Sequence, residues 1–119
     1  KNLPKHSLGL IGQYVSTKAR TYFFLGLHNS EGTAGKTFAM HFDYMIHDTR
    51  VIRMSVSNLY KEFKNNKGTS LQVPLLNLPS DRWVFVVINA LTLFKENHIF
   101  DKNASPKFYL RSFQMHANV

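Results

Sequence analysis

A chain of 119 residues, 44% hydrophobic and 18% charged, has the balance of one globular domain with a single core, and it is too apolar for disorder. With no cysteine there is no disulfide framework and no cysteine-based metal site, and no apolar run approaches the roughly 18–20 residues of a membrane span. The formal net charge of +8 points to an acidic partner (nucleic acid, anionic lipid or acidic protein) without ranking the three.

In chain order, Ser7 to Tyr14 is apolar but punctuated by Gly9 and Gly12, the pattern of a strand with a bulge or close backbone approach. A phosphate-cradling loop is disfavoured, because no Lys-Ser/Thr pair or helical pattern follows. Thr21 to Leu27 reads as a buried strand, and His28 to Lys36 as a turn of small and polar residues. Thr37 to Met45 alternates, with Phe38, Met40, Phe42 and Tyr44 on one side and Ala39, His41 and Asp43 on the other. The expected hairpin pairs Tyr22–Leu27 with Phe38–Tyr44.

After a turn at His47–Thr49 comes Arg50 to Lys67, the stretch around which the chain is organised. Its first half is a predicted strand, with Ile52, Met54 and Val56 inward and Arg53, Ser55 and Ser57 outward. Leu59, Tyr60 and Phe63 then recur at helical spacing, predicting a short helix capped by Ser57 or Asn58 and ended by Asn65 to Gly68. Leu71 to Leu75 is a short strand whose Pro74 belongs at an edge or an end. Trp83 to Asn89, continuously apolar and β-branched, reads as a central strand. Ala90 to His98 predicts a two-turn helix, and Phe108 to Asn118 a last strand with little bias between its faces. The fold class that follows is all-β: one domain over 1–119, a mainly antiparallel two-sheet β-sandwich with one or two short helices.

The acidic residues Glu31, Asp43, Asp48, Glu62, Asp81, Glu96 and Asp101 are scattered, and only Asp43 falls on a firm strand, so a carboxylate pair for hydrolysis is not indicated. His41, Asp43 and His47 lie close in sequence, but the six histidines lack zinc-ligand spacing and read as solvated surface groups. No GxSxG turn marks a serine nucleophile. Asn103-Ala104-Ser105 fits the glycosylation pattern, yet no apolar leader opens the sequence at Lys1, so the tripeptide reads as an unmodified loop. Phe23, Phe38, Phe42 and Phe85 take inward positions where core packing is the plainer role than stacking on bases or sugars. Tyr60 and Phe63, on the basic stretch, are either core anchors or partner contacts. The cations Arg50, Arg53, Lys61, Lys64 and Lys67 face Glu62 alone within that stretch, which therefore holds half of the net charge of +8. They are the candidate binding residues, with no cofactor, metal or catalytic residue expected.

Several of these segments also resemble a known family. Ser7–Tyr14, SLGLIGQY, is similar to an SLGLTGRY-type segment, and Val51–Lys64, VIRMSVSNLYKEFK, to a VIRVSFSNLFKEFK-type segment. Leu71–Leu75 resembles an LQFPL strand, Arg82-Trp83 the RW that opens the next, and Gln114–Asn118 an IHAN ending. These belong to the domain of cilia- and flagella-associated protein 20, and the likeness is nearest to the amino-terminal module of WD-repeat proteins of the proximal centriole. The resemblance implies a jelly-roll-like sandwich without catalysis, bound to the microtubule wall at the inner junction of A- and B-tubules. It also implies partners among tubulin and other inner-junction proteins, and a cytoskeletal location at the centriole, basal body or ciliary axoneme. The family's flanking strands lie outside 1–119, and 29–36 is a longer insertion than the family pattern. A carbohydrate-binding-like sandwich and a basic nucleic-acid-binding domain remain the alternatives; no membrane partner is expected, and nucleic acid ranks below tubulin.

Overall fold

Alternation of large apolar and polar residues over 38–46 gives a strand with one face fully enclosed. In the computed structural model β3 spans Phe38–Ile46, and Phe38, Met40, Phe42, Tyr44 and Ile46 are all 3% exposed or less. The structure describes residues 8–15, 22–29, 37–75 and 83–117, with side chains over 37–75 and 86–116. Around β3 stand β1 (Leu8–Val15), β2 (Tyr22–Asn29), β4 (Arg50–Ser57), β5 (Lys64–Asn66), β6 (Ser70–Pro74), β7 (Trp83–Asn89) and β8 (Phe108–Ala117), with one helix, α1 (Ala90–Glu96). They form a three-stranded sheet in the order β1-β2-β7 and a five-stranded sheet in the order β5-β6-β4-β3-β8. The fold is all-β and sandwich-like. All pairs are antiparallel except β4 with β6, which run parallel.

The core lies on the inner face of the larger sheet. Ile52, Met54 and Val56 of β4 and Leu71 of β6 join the β3 side chains there, each at most 1% exposed. Ile88 of β7 belongs to the same cluster, with Val86 packed against it, so the smaller sheet reaches this core through β7. Phe94 of α1 is its aromatic hub, 5.6 Å edge-to-face from Tyr44, 5.5 Å from Phe100 and 6.4 Å from Phe108 between ring centres. Edge-to-face geometry sets the positive ring edge against a negative face and adds to the burial energy.

Three expectations are corrected. β2 does not pair with β3: it lies between β1 and β7, while β3 lies between β4 and β8. The stretch between them therefore connects two sheets rather than closing a hairpin, and 30–36 lies outside the described residues. β7 is an end strand of its sheet and not central, which fits Val87 at 55% exposed beside buried Ile88. No helix follows β4. Ser57 Oγ accepts from Leu59 N–H at 3.0 Å and donates to Phe38 O, while Asn58 Oδ1 accepts from Phe38 N–H at 3.0 Å. The two expected caps are bound to β3, and the chain runs through an irregular link, 58–63, into β5. Ser57, expected outward, is accordingly fully buried, and Ser55 is 9% exposed.

The expected turn at His47–Thr49 is present, and its geometry recurs at Lys67–Thr69. In each, a backbone N–H closes on the carbonyl three residues back (Thr49 on Ile46, Thr69 on Asn66), and the two central residues have positive φ. This is the primed hairpin turn, whose twist suits adjoining strands. Gly68, at φ 75°, takes that conformation without strain. Pro74 sits at the end of β6, beyond Gln72, the last residue paired with β5, so its missing amide hydrogen costs no ladder bond there.

The helix after β7 starts where Asn89 Oδ1 accepts from Thr92 N–H at 3.1 Å. It closes with His98 N–H on Lys95 O and Ile99 N–H on Phe94 O, the paired bonds of a Schellman end. The left-handed residue of that motif is His98, at φ 64°, where glycine is ordinary. His98→Gly is expected to stabilise the domain by about 1 kcal/mol, read as a higher urea midpoint at unchanged slope.

Candidate functional site

The outer face of the five-stranded sheet and its β5 edge carry the polar side chains that the core rejects. The β3–β4 register sets Asp43 opposite Arg53 and His41 opposite Ser55. Arg53 grips Asp43 with two bonds, Nε to Oδ1 at 2.7 Å and Nη2 to Oδ2 at 3.1 Å, and Ser112 Oγ of β8 adds a third to Oδ2 at 3.3 Å. A planar guanidinium fork on a carboxylate is the strong form of such pairing. It holds the Asp43 carboxyl below its ordinary range and raises Arg53. His41 Nδ1 lies 2.7 Å from Ser55 Oγ, and its ring centre is 5.6 Å from that of His116. Burial first, then Arg53 and His116, lower the His41 pKa, against a smaller opposing pull from Asp43.

These shifts set a pH dependence. His41 in the folded chain resists a proton that the unfolded chain accepts near the ordinary 6.5, so stability falls as pH drops through and below that value. Asp43 acts at lower pH: its contribution is present above the ordinary 3.8 and is lost as pH falls through its lowered folded value. Urea midpoints from pH 8 to 5 are expected to decline in the wild type and to flatten in His41→Gln.

The five candidate cations separate in space. Arg53 faces Asp43, an internal pair whose side chains are 41% and 15% exposed. Arg50, Lys61, Lys64 and Lys67 are exposed and make no ion pair with any described residue, the pairs among these being Arg53–Asp43 and Lys107–Asp48. β5 is the edge of its sheet, and Lys64 and Lys67 sit on and just after it. Arg50 joins them through a long 3.4 Å bond from Nη1 to Gly68 O, in the turn that carries Lys67. Asn65 clamps this edge: its Nδ2 donates to Asn97 O at 2.8 Å and its Oδ1 accepts from Gly68 N–H at 2.7 Å. Charged side chains on a short edge strand discourage pairing with another sheet and leave the cations displayed.

Leu59 and Phe63, expected on a helix, are instead 47% and 46% exposed on the link from β4 to β5, with Tyr60 half-buried between them. Among the described residues no group of three histidine, aspartate or glutamate side chains gathers to hold a metal ion. An open cleft of about 370 Å³ at the end of α1 mixes Lys95, His98 and Lys102 with Asp101 and Phe100. What the β5 edge can do chemically is attract and hold an anionic surface.

No family model matches the chain. It is 40% identical over 77 residues to WD repeat-containing protein 90 of Homo sapiens, and 38% identical over 77 residues to the protein of that name from Xenopus tropicalis. Each match covers 62% of this chain and 4% of the relative, so the chain spans only a small part of these proteins' length. Over most of its own length, then, the chain is similar to one short part of WD repeat-containing protein 90.

Proposed function

We propose that this β-sandwich is a non-enzymatic module that docks on the microtubule wall in a centriolar or ciliary protein and contributes to the inner junction between A- and B-tubules. The observation that carries this reading is the set of exposed cations Arg50, Lys61, Lys64 and Lys67, on the β5 edge, the turn and strand start beside it and the link that leads into it, free of ion pairs with described residues. A microtubule presents an acidic lattice, and displayed lysines on a stiff sheet meet it at little entropic cost. The likeness to WD repeat-containing protein 90, together with the resemblance of 51–64 to the ciliary family segment, supports the centriolar setting. Arg53 serves this reading as a brace for the sheet face rather than as a contact, because its guanidinium already holds Asp43.

Co-sedimentation of the domain with stabilised microtubules tests the reading. Pelleting is expected at low salt and should weaken steadily as ionic strength rises, since exposed charges are screened over about 8–10 Å at physiological ionic strength. A domain left in the supernatant at every salt concentration contradicts it.

A further inference from the structure

We propose that His41 and His116 form a two-histidine site for a divalent cation of the zinc, nickel and copper group, which clips β8 to β3 on the outer face of the larger sheet. The two residues are far apart in sequence, and strand register brings them together. His116 faces Ala39 and His41 faces Gln114 across β3 and β8, so the histidines are diagonal neighbours on one face. Their ring centres lie 5.6 Å apart, with the planes tilted by 58°. Two imidazoles whose nitrogens each lie about 2.0–2.1 Å from one tetrahedral cation have ring centres roughly 5 Å apart. A small turn of the exposed His116 ring closes that difference.

A second observation concerns the other side of His41. Ser55 stands opposite it on β4 and places Oγ 2.7 Å from Nδ1. In the tautomer whose Nδ1–H donates to this hydroxyl, Nε2 keeps a free lone pair. An outer partner of this kind is what orients a ligating imidazole. Arg53, on the same face, is tied to Asp43 by two bonds, so that pair sets no net charge against a cation. The same bonds withdraw the Asp43 carboxylate from the ligand set. Two nitrogen donors without a carboxylate select borderline cations over Mg²⁺ and Ca²⁺, which seek oxygen. Water fills the remaining positions on this open face. β8 is the end strand of its sheet, so a cation held between it and β3 fastens an edge. β5 is the other end of the same strand order, and the site does not rest on the docking reading above.

The test is calorimetric titration of the chain with zinc chloride for wild type, His41→Gln and His116→Gln, alongside urea unfolding with and without zinc. His116 is exposed, so its variant should fold, checked by an unchanged urea midpoint without metal. Wild type is expected to take one zinc ion at this site and to unfold at a higher urea midpoint in its presence. Each variant should bind at least about tenfold more weakly and lose the zinc-dependent rise, since removing a ligand costs no less than removing the partner that orients it. Magnesium chloride should produce neither effect.

No zinc binding by wild type at millimolar concentration overturns the site. So does zinc binding that His116→Gln leaves intact, because the pair would then not be the ligand. A rise in midpoint as large with magnesium as with zinc overturns imidazole ligation.

Discussion

Phe94→Ala is expected to cost about 3–5 kcal/mol, because the ring is wholly buried and its removal leaves a cavity bounded by Tyr44, Phe100 and Phe108. A domain of this kind has about 5–15 kcal/mol of stability in all, so the variant should sit near the edge of folding at 37 °C. The position matters for topology as well as area. α1 follows β7 directly, and Phe94 ties that turn of chain to Tyr44 on β3 and Phe108 on β8. Urea unfolding should show a much lower midpoint at similar slope, with Phe94→Leu retaining much of the loss. A loss of stability under about 1 kcal/mol would show that the aromatic hub is not where the core draws its strength.

The largest functional effect is expected from Lys61→Glu with Lys64→Glu. Neither side chain pairs with a described residue and both are exposed, so stability should change by no more than about 0.5 kcal/mol. Binding to an acidic lattice should weaken about ten- to a hundredfold at moderate salt, since two attractions become two repulsions at the same edge. The difference between variant and wild type should narrow as salt rises, which separates electrostatic docking from a folding defect.

How far the sequence could be read depended on where one side of the chain meets the core without interruption. β3 alternates from Phe38 to Ile46, and Phe38, Met40, Phe42 and Tyr44 were legible as inward, whereas buried Ile46 lay beyond the expected strand and Ala39, expected outward, is 6% exposed. β8 hid its faces for a physical reason. Asp43 faces Ser112 and Tyr44 faces Leu110, so Arg111 is an extra residue. The bulge moves the inward set from Phe108 and Leu110 to Phe113 and Met115, and a period-two reading averages the two phases away. Strand direction left no trace either: nothing in Leu71 and Val73 announces that β6 runs parallel to β4.

The site was half legible. The cations are visible in sequence, but which of them are displayed depends on pairing. Asp43 and Arg53 stand at equal distance from Asp48, the middle of the His47–Thr49 turn, so a tight hairpin there brings them face to face. That symmetry was a readable sign that Arg53 is held internally. The false helix at Leu59, Tyr60 and Phe63 shows the opposite case. Its spacing was real, but Ser57 and Asn58 bond to Phe38, which is distant in sequence, and local periodicity cannot see that.

The most direct measurement compares microtubule pelleting by two variants of equal net charge. One carries Lys61→Glu, on the link into β5, with Lys64→Glu on β5 itself; the other carries Lys107→Glu with Arg111→Glu, the first just before β8 and the second on it, across the same sheet. Losing the exposed Lys107–Asp48 pair should cost the second variant little stability. If the β5 edge is the docking surface, the first variant stays in the supernatant while the second pellets close to wild type. Equal loss in both would show that only total charge matters, and that no particular edge of this sandwich faces the lattice.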